Sequence, residues 1–293
     1  MYNYMRDDLK DDWGILELQD KILEIAVYVD EFCRENDIEY SLMGGSALGA
    51  VRHKGFIPWD DDLDIFMTPD NYEKFVKLFN EKGDKSKFLV EPFGDFDGMV
   101  RFGKVRAKNT TYIEPSFVNY KFHQSIYIDI FILHVCPNNP IKRINQYVWA
   151  KYFIAKAQSV RDLSRYGFAL RTVLRFLKLF PRLFLVKFAL KQVYKYRHEK
   201  SENYCNFLGK AKYKNGIYDR KLFDNTKYVP FEKAELKVPQ DVEEFLEKRF
   251  GDYMKMPNPE QIKREQHASV WDTKKNYTEY LENEPFIDRK YLF

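Results

Sequence analysis

Aspartate is disfavoured inside β-strands, yet this chain sets a series of them at the head of a strand-like run, Asp60-Asp61-Asp62-Leu63-Asp64-Ile65-Phe66. In an extended 62–66, side chains alternate faces. Leu63 and Ile65 then point to a core, and Asp62 and Asp64 share the opposite face. Two carboxylates so placed lie roughly 6–7 Å apart, two strand rises. Alone they repel, and one tends to stay protonated. A hard divalent cation between them removes the conflict, and Mg²⁺ or Mn²⁺ suits oxygen ligands and substrate phosphates. Asp60 is in phase if the extended geometry reaches back to it. The residues leave open whether it is a metal ligand or an outer-sphere partner.

The preceding residues supply a complementary part. The stretch 38–43 alternates apolar and polar residues and reads as a half-buried strand. Gly44-Gly45-Ser46 follows, and residues 47–52 can open a helix. A small-residue turn at a helix start leaves backbone N–H groups free for an anion. Glycine there permits close approach of a phosphate. A third acid, Asp129, interrupts the β-prone run 125–133. A charge buried there without a partner costs several kcal/mol, and a metal shared with Asp62 and Asp64 is one such partner. In the strand-like 99–106, Lys104 and Arg106 share a face. They suit a diphosphate, with Arg as a fork and Lys as a point charge, or equally a charged sheet edge.

Together these residues resemble a known family. Gly44-Gly45-Ser46 followed by Asp62-Leu63-Asp64-Ile65 is similar to the nucleotidyltransferase-fold signature. The run from Leu48 through Arg52-His53-Lys54-Gly55-Phe56-Ile57-Pro58-Trp59-Asp60 resembles, more narrowly, the LicD family with its fukutin-type members. Ile128-Asp129-Ile130-Phe131 resembles that family's later acidic strand, with a departure at Ile132-Leu133-His134. Phe231-Glu232, Val238-Pro239 and Phe250-Gly251-Asp252-Tyr253-Met254 resemble its closing segment.

The resemblance implies an α+β fold: a nucleotidyltransferase-like core, a small mixed sheet flanked by helices, with a largely helical basic extension. It implies a metal-dependent transferase that moves a phospho-alcohol from a CDP-activated donor such as CDP-choline to a sugar hydroxyl, releasing CMP. The implied acceptor is lipid-linked or an oligosaccharide, a precursor of teichoic acid, lipopolysaccharide or capsule. Asp62, Asp64 and Asp129 are then the catalytic and metal-holding acids, with Mg²⁺ or Mn²⁺ as cofactor. Gly44, Gly45, Ser46, Arg52, Lys104 and Arg106 form the phosphate- and donor-binding set.

Three segments are expected: a catalytic core at 14–136, a basic amphipathic helical region at 137–204, and a C-terminal segment at 205–293 that completes the domain. The middle one stands out by charge. Fourteen Lys or Arg and a single acid, Asp162, fall between residues 130 and 198, in a chain whose net charge is only +4. Within 166–200, Arg171, Arg175, Lys178 and Arg182 recur at helical spacing among Phe and Leu, and Pro181 should kink or divide the helix. Such a helix can lie on an anionic membrane surface or pack its apolar side into the core.

Elsewhere, the apolar spacing from Ile15 to Phe32 predicts a core-packed helix, Pro69-Asp70 opens another, and Asp241 and Gly251 bracket a third. Three scattered cysteines without ligand spacing suit a reducing compartment. The polar first residues do not read as a signal peptide, and no apolar run approaches the ~18 residues of a spanning helix. The expected location is cytoplasmic, peripheral on the inner membrane face. Two other functions fit the same residues: transfer of a nucleotide from an NTP to a small acceptor, and a basic membrane- or nucleic-acid-binding scaffold. Three placed acids speak against the scaffold, so no nucleic-acid partner is expected.

Overall fold

The computed structural model describes residues 11–93, 102–115, 120–159, 167–178, 182–209, 211–262, 266–281 and 287–288. In chain order its elements are α1 (Leu16–Glu35), β1 (Ser41–Leu42), α2 (Gly44–His53), β2 (Asp64–Met67), α3 (Pro69–Lys82), β3 (Phe88–Glu91), β4 (Gly103–Ala107), β5 (Thr111–Ile113), β6 (Tyr120–Lys121), β7 (Tyr127–Ile132) and β8 (His134–Cys136). There follow α4 (Pro140–Ser159), α5 (Phe168–Lys178), α6 (Arg182–Tyr194), β9 (Asn203–Cys205), β10 (Ile217–Asp219), α7 (Lys221–Asp224), β11 (Thr226–Phe231), β12 (Ala234–Pro239), α8 (Val242–Phe250), α9 (Pro259–Ile262), β13 (Val270–Asp272) and β14 (Ile287–Asp288).

The central sheet has the order β1-β2-β7-β4-β3. Only β2 and β7 run parallel; the remaining pairs are antiparallel. This is the mixed sheet of an α+β fold. Leu63, Ile65, Ile128 and Ile130 are all buried, each 1% exposed or less, so the apolar halves of the two acidic strands fill the core. On α1, Leu18, Ile22, Ile25 and Val29 recur on one face and are buried. Thr68 caps α3, accepting a hydrogen bond from the Asn71 N–H, with Pro69 at the first helical position.

Three local expectations need correction. The strand expected over 38–43 is reduced to Ser41–Leu42. Gly44-Gly45-Ser46 is not a turn ahead of a helix but the first turn of α2 itself, entered at Gly44 with φ of +54°, a conformation that favours glycine. Asp241 stands at the N-cap position of α8 without making a side-chain cap bond, whereas Gly251, at φ +72°, ends that helix as expected.

The basic segment leaves the core after β8 and returns at β9, which pairs with β8 on one side and β10 on the other. Between them α4 packs on α5 and α6 around a second apolar cluster that includes Phe153, Val186, Ala189 and Phe207. Helix α5 is described to Lys178 and α6 from Arg182; the kink or division expected at Pro181 lies outside the described residues. Arg171 and Arg175 stand on α5, Arg182 at the start of α6. Among the described residues no helix is long and apolar enough to cross a membrane.

Candidate active site

The site lies where β2, β7 and β4 run side by side next to the start of α2. Asp64 of β2 pairs in register with Asp129 of β7, and Asp129 with Lys104 of β4. Because strand periodicity is two, residues in register share a face. The three charged groups therefore form a row across the sheet, with Asp62 one step back along its own segment. The regular strand begins only at Asp64, yet the Asp129 N–H donates to the Leu63 carbonyl at 2.9 Å, so the extended backbone reaches back past the strand's formal start.

Helix α2 is fastened to this row. The Asp64 N–H donates to Ser46 Oγ at 2.8 Å, and the Met43 N–H donates to the Asp64 carbonyl at 3.0 Å. No side chain caps the α2 N-terminus, which leaves the positive end of its dipole facing the acids. A Cβ on Gly45 would stand 3.0 Å from Asp60 Oδ2. The Asp60 carboxylate thus faces the helix start rather than standing on the sheet. Gly49 allows another close approach: a Cβ there would come within 2.4 Å of the Gly55 carbonyl.

The electrostatics follow from the crowding. Burial, then the charges of Asp62 and Asp129, hold the Asp64 carboxyl well above the usual carboxylate range, while Lys104 and Arg249 pull it back. Lys104 is ion-paired with Asp129 and sits 3.3 Å over the centroid of the Tyr127 ring. Burial holds its ammonium below the ordinary lysine value, opposed by the Asp129 charge.

Among the described residues no three carboxylate, imidazole or thiol groups converge as a finished metal cage; Asp129 is ion-paired with Lys104. The donor chemistry nonetheless suits a hard cation. Asp62 and Asp129 crowd negative charge around Asp64, and carboxylate oxygen is the ligand such an ion takes.

The profile of the family described as LicD/FKTN/FKRP, nucleotidyltransferase domain, matches residues 37–174, a span that contains every member of this row. The chain carries a LicD-family nucleotidyltransferase domain. Across 264 residues, 84% of the chain and 92% of the relative, it is 27% identical to the Lipopolysaccharide cholinephosphotransferase LicD of Haemophilus influenzae. Shorter matches are to uncharacterised proteins of Rickettsia typhi, 38% identical over 60 residues (20% of this chain, 19% of the relative), and Rickettsia prowazekii, 57% over 35 (12% and 13%).

Two residues expected in the LicD-family donor site are engaged elsewhere. Arg106 does share a face with Lys104, since both lie over the Tyr127 ring. Its Nε, however, donates to Glu91 at 2.5 Å and its Nη1 to the Ser125 carbonyl at 2.7 Å, with both charged partners buried. It is a structural ion pair linking β3 to β4. Arg52 is also buried, and its guanidinium bonds His53 Nε2 and the Tyr253 carbonyl, each at 2.9 Å. That ties α2 to the C-terminal segment.

Sequence reasoning missed two groups. Asp61 is buried and accepts the His267 and Ala268 N–H groups at 2.7 and 2.8 Å. His267 Nδ1 stands 3.0 Å from Asp61 and 3.4 Å from Asp62, so a distant segment closes beside the acids. The second is Arg249, which in the sequence is an ordinary base in the last turn of a helix and carries no signal of its position.

Proposed function

We propose that this LicD-family chain is a metal-dependent transferase that moves phosphocholine, or a similar phospho-alcohol, from a CDP-activated donor to a sugar hydroxyl of a cell-surface glycan, with release of CMP. The observation that carries the reading is the in-register row Asp64–Asp129–Lys104, with Asp62 behind it, beside the uncapped start of α2. The name of the H. influenzae relative supports phosphocholine as the group moved and lipopolysaccharide as the kind of acceptor. Teichoic acid and capsule precursors offer the same hydroxyl chemistry.

Asp62, Asp64 and Asp129 would hold Mg²⁺ or Mn²⁺, with Asp60 behind them at the helix start. Such an ion supplies positive charge to the donor diphosphate and orients it. The first turn of α2 receives a phosphate through its backbone N–H groups. An acceptor hydroxyl attacks the phosphorus that bears the alcohol, the bond to the CMP oxygen breaks, and CMP departs. Asp129 takes the hydroxyl proton, and Lys104 balances charge on the phosphoryl oxygens.

The description of the family as a nucleotidyltransferase domain favours one second reading, transfer of a nucleotide from an NTP. Product analysis separates the two. With CDP-choline, Mg²⁺ and a glycan acceptor, the first predicts CMP and a phosphocholine-bearing sugar by mass. Pyrophosphate from an NTP, with no CMP from CDP-choline, would establish the second.

Docking on an anionic membrane surface belongs to the same proposal. Ile141, Ile144 and Val148 make an exposed apolar stripe on α4, and Phe168, Val173 and Phe176 are exposed on α5 within the most basic part of the chain. Charge complementarity commits this face to anionic lipid, where a lipid-linked acceptor would reside.

A further inference from the structure

Arg249 is a cation with no carboxylate of its own among the described residues, placed at the head of α2. It rises from the last turn of α8, which packs against α2. A side chain at position 44 would meet its guanidinium, at 3.6 Å from Nη2 and 3.7 Å from Nε. Glycine at 44 accepts φ of +54°, and the guanidinium lies within ordinary contact distance of that position. Nη1 donates to the hydroxyl of buried Tyr218 at 3.1 Å, which fixes the fork's orientation. Nε is buried and finds no acceptor. A buried charged donor without an acceptor is costly, and an anion entering at this place would relieve it. The Arg249 charge is felt at Asp64, so the guanidinium belongs electrostatically to the same site. The fork geometry of arginine matches phosphate oxygens in a bidentate way.

We propose that Arg249 is a donor-binding residue, which with the first turn of α2 holds a phosphate of the donor's nucleoside diphosphate opposite the acidic row. The inference rests on the reading of the chain as a CDP-alcohol-dependent transferase and adds the residue that recognises the diphosphate. It also gives the C-terminal segment a part in chemistry, since residue 249 lies beyond the 37–174 span of the family profile.

The test is calorimetric binding of CDP and of cytidine, each with Mg²⁺, to the full chain and to Arg249→Gln and Arg249→Lys, alongside thermal melting. Loss of a charge-assisted contact predicts about tenfold or more weaker CDP binding for Arg249→Gln, with cytidine binding unchanged and the melting temperature retained. Arg249→Lys keeps the charge without the fork and should fall between; it carries the test alone if the glutamine variant fails to fold. CDP affinity equal to wild type in folded variants overturns the proposal. So does an equal loss for CDP and cytidine, which would mark Arg249 as a purely structural residue. If the intact chain itself binds no CDP, the transferase reading fails first and this inference with it.

Discussion

Asp64 is where the site's like charges meet, and its titration should be visible in stability. Its carboxyl is held well above the ordinary aspartate value of about 3.9. Between that value and its raised one, the folded chain keeps a proton that the unfolded chain has lost. Stability therefore falls as pH rises through this interval and stays reduced above it. Asp64→Asn removes the effect. In chelator, the melting temperature of the variant minus that of the intact protein should grow more positive as pH rises, and Mg²⁺ should shrink the gap. A difference independent of pH would contradict the crowding described here. Arg106 behaves differently although it is a base of the same face as Lys104. Removing it strands buried Glu91, so Arg106→Leu should cost about 3–5 kcal/mol in chemical denaturation. The joint replacement of Glu91 and Arg106 by leucine should recover much of that; no recovery would mean that the lost packing, not the stranded charge, sets the cost. The sequence shows that Lys104 and Arg106 share a face, because alternation is local. It does not show that one faces Asp129 and the other Glu91, because strand neighbours come from distant parts of the chain.

At the level of elements, local physics was legible where one rule acts alone. The apolar spacing of α1 and the Thr68-Pro69 start of α3 follow from side-chain periodicity and from helix-start chemistry. It was less legible where two rules compete. The glycines at 44 and 45 read as a turn but open a helix, because Ser46 fastens that first turn to Asp64. The basic helices stand between two readings that the sequence leaves equal. Leu174 is buried while Phe168, Val173 and Phe176 stay exposed, so α5 has one side in the fold and an exposed apolar side. Phe168→Asp, Val173→Asp and Phe176→Asp together should abolish flotation with anionic phospholipid vesicles and leave the melting temperature within a few degrees. Flotation equal to that of the intact protein would end the membrane proposal.

Over the whole molecule, the resemblance at the C-terminal end acquires a physical meaning. Glu232 accepts the Phe56 N–H at 2.9 Å and its own N–H donates to the Lys54 carbonyl at 2.7 Å. Tyr253 holds Arg52, and the His267-Ala268 backbone holds Asp61. The closing segments thus fold back on the end of α2 and the loop between α2 and β2, and Arg249 arrives by the same return. No periodicity could reveal this, because each contact joins residues well over a hundred positions apart. The members of the acidic row were legible one by one, since alternation put Asp62 and Asp64 on one face of their run and Asp129 stood out in another; that β2 and β7 lie side by side was not. Its chemistry is the claim on which the account depends. CMP release from CDP-choline, followed by mass with the intact chain and with Asp64→Asn, each with Mg²⁺ and with chelator, tests it most directly. The account predicts release by the intact chain with Mg²⁺ only, and a loss of about 10²–10³-fold or more in a folded Asp64→Asn; release by Asp64→Asn at the intact rate, or undiminished by chelator, would contradict it.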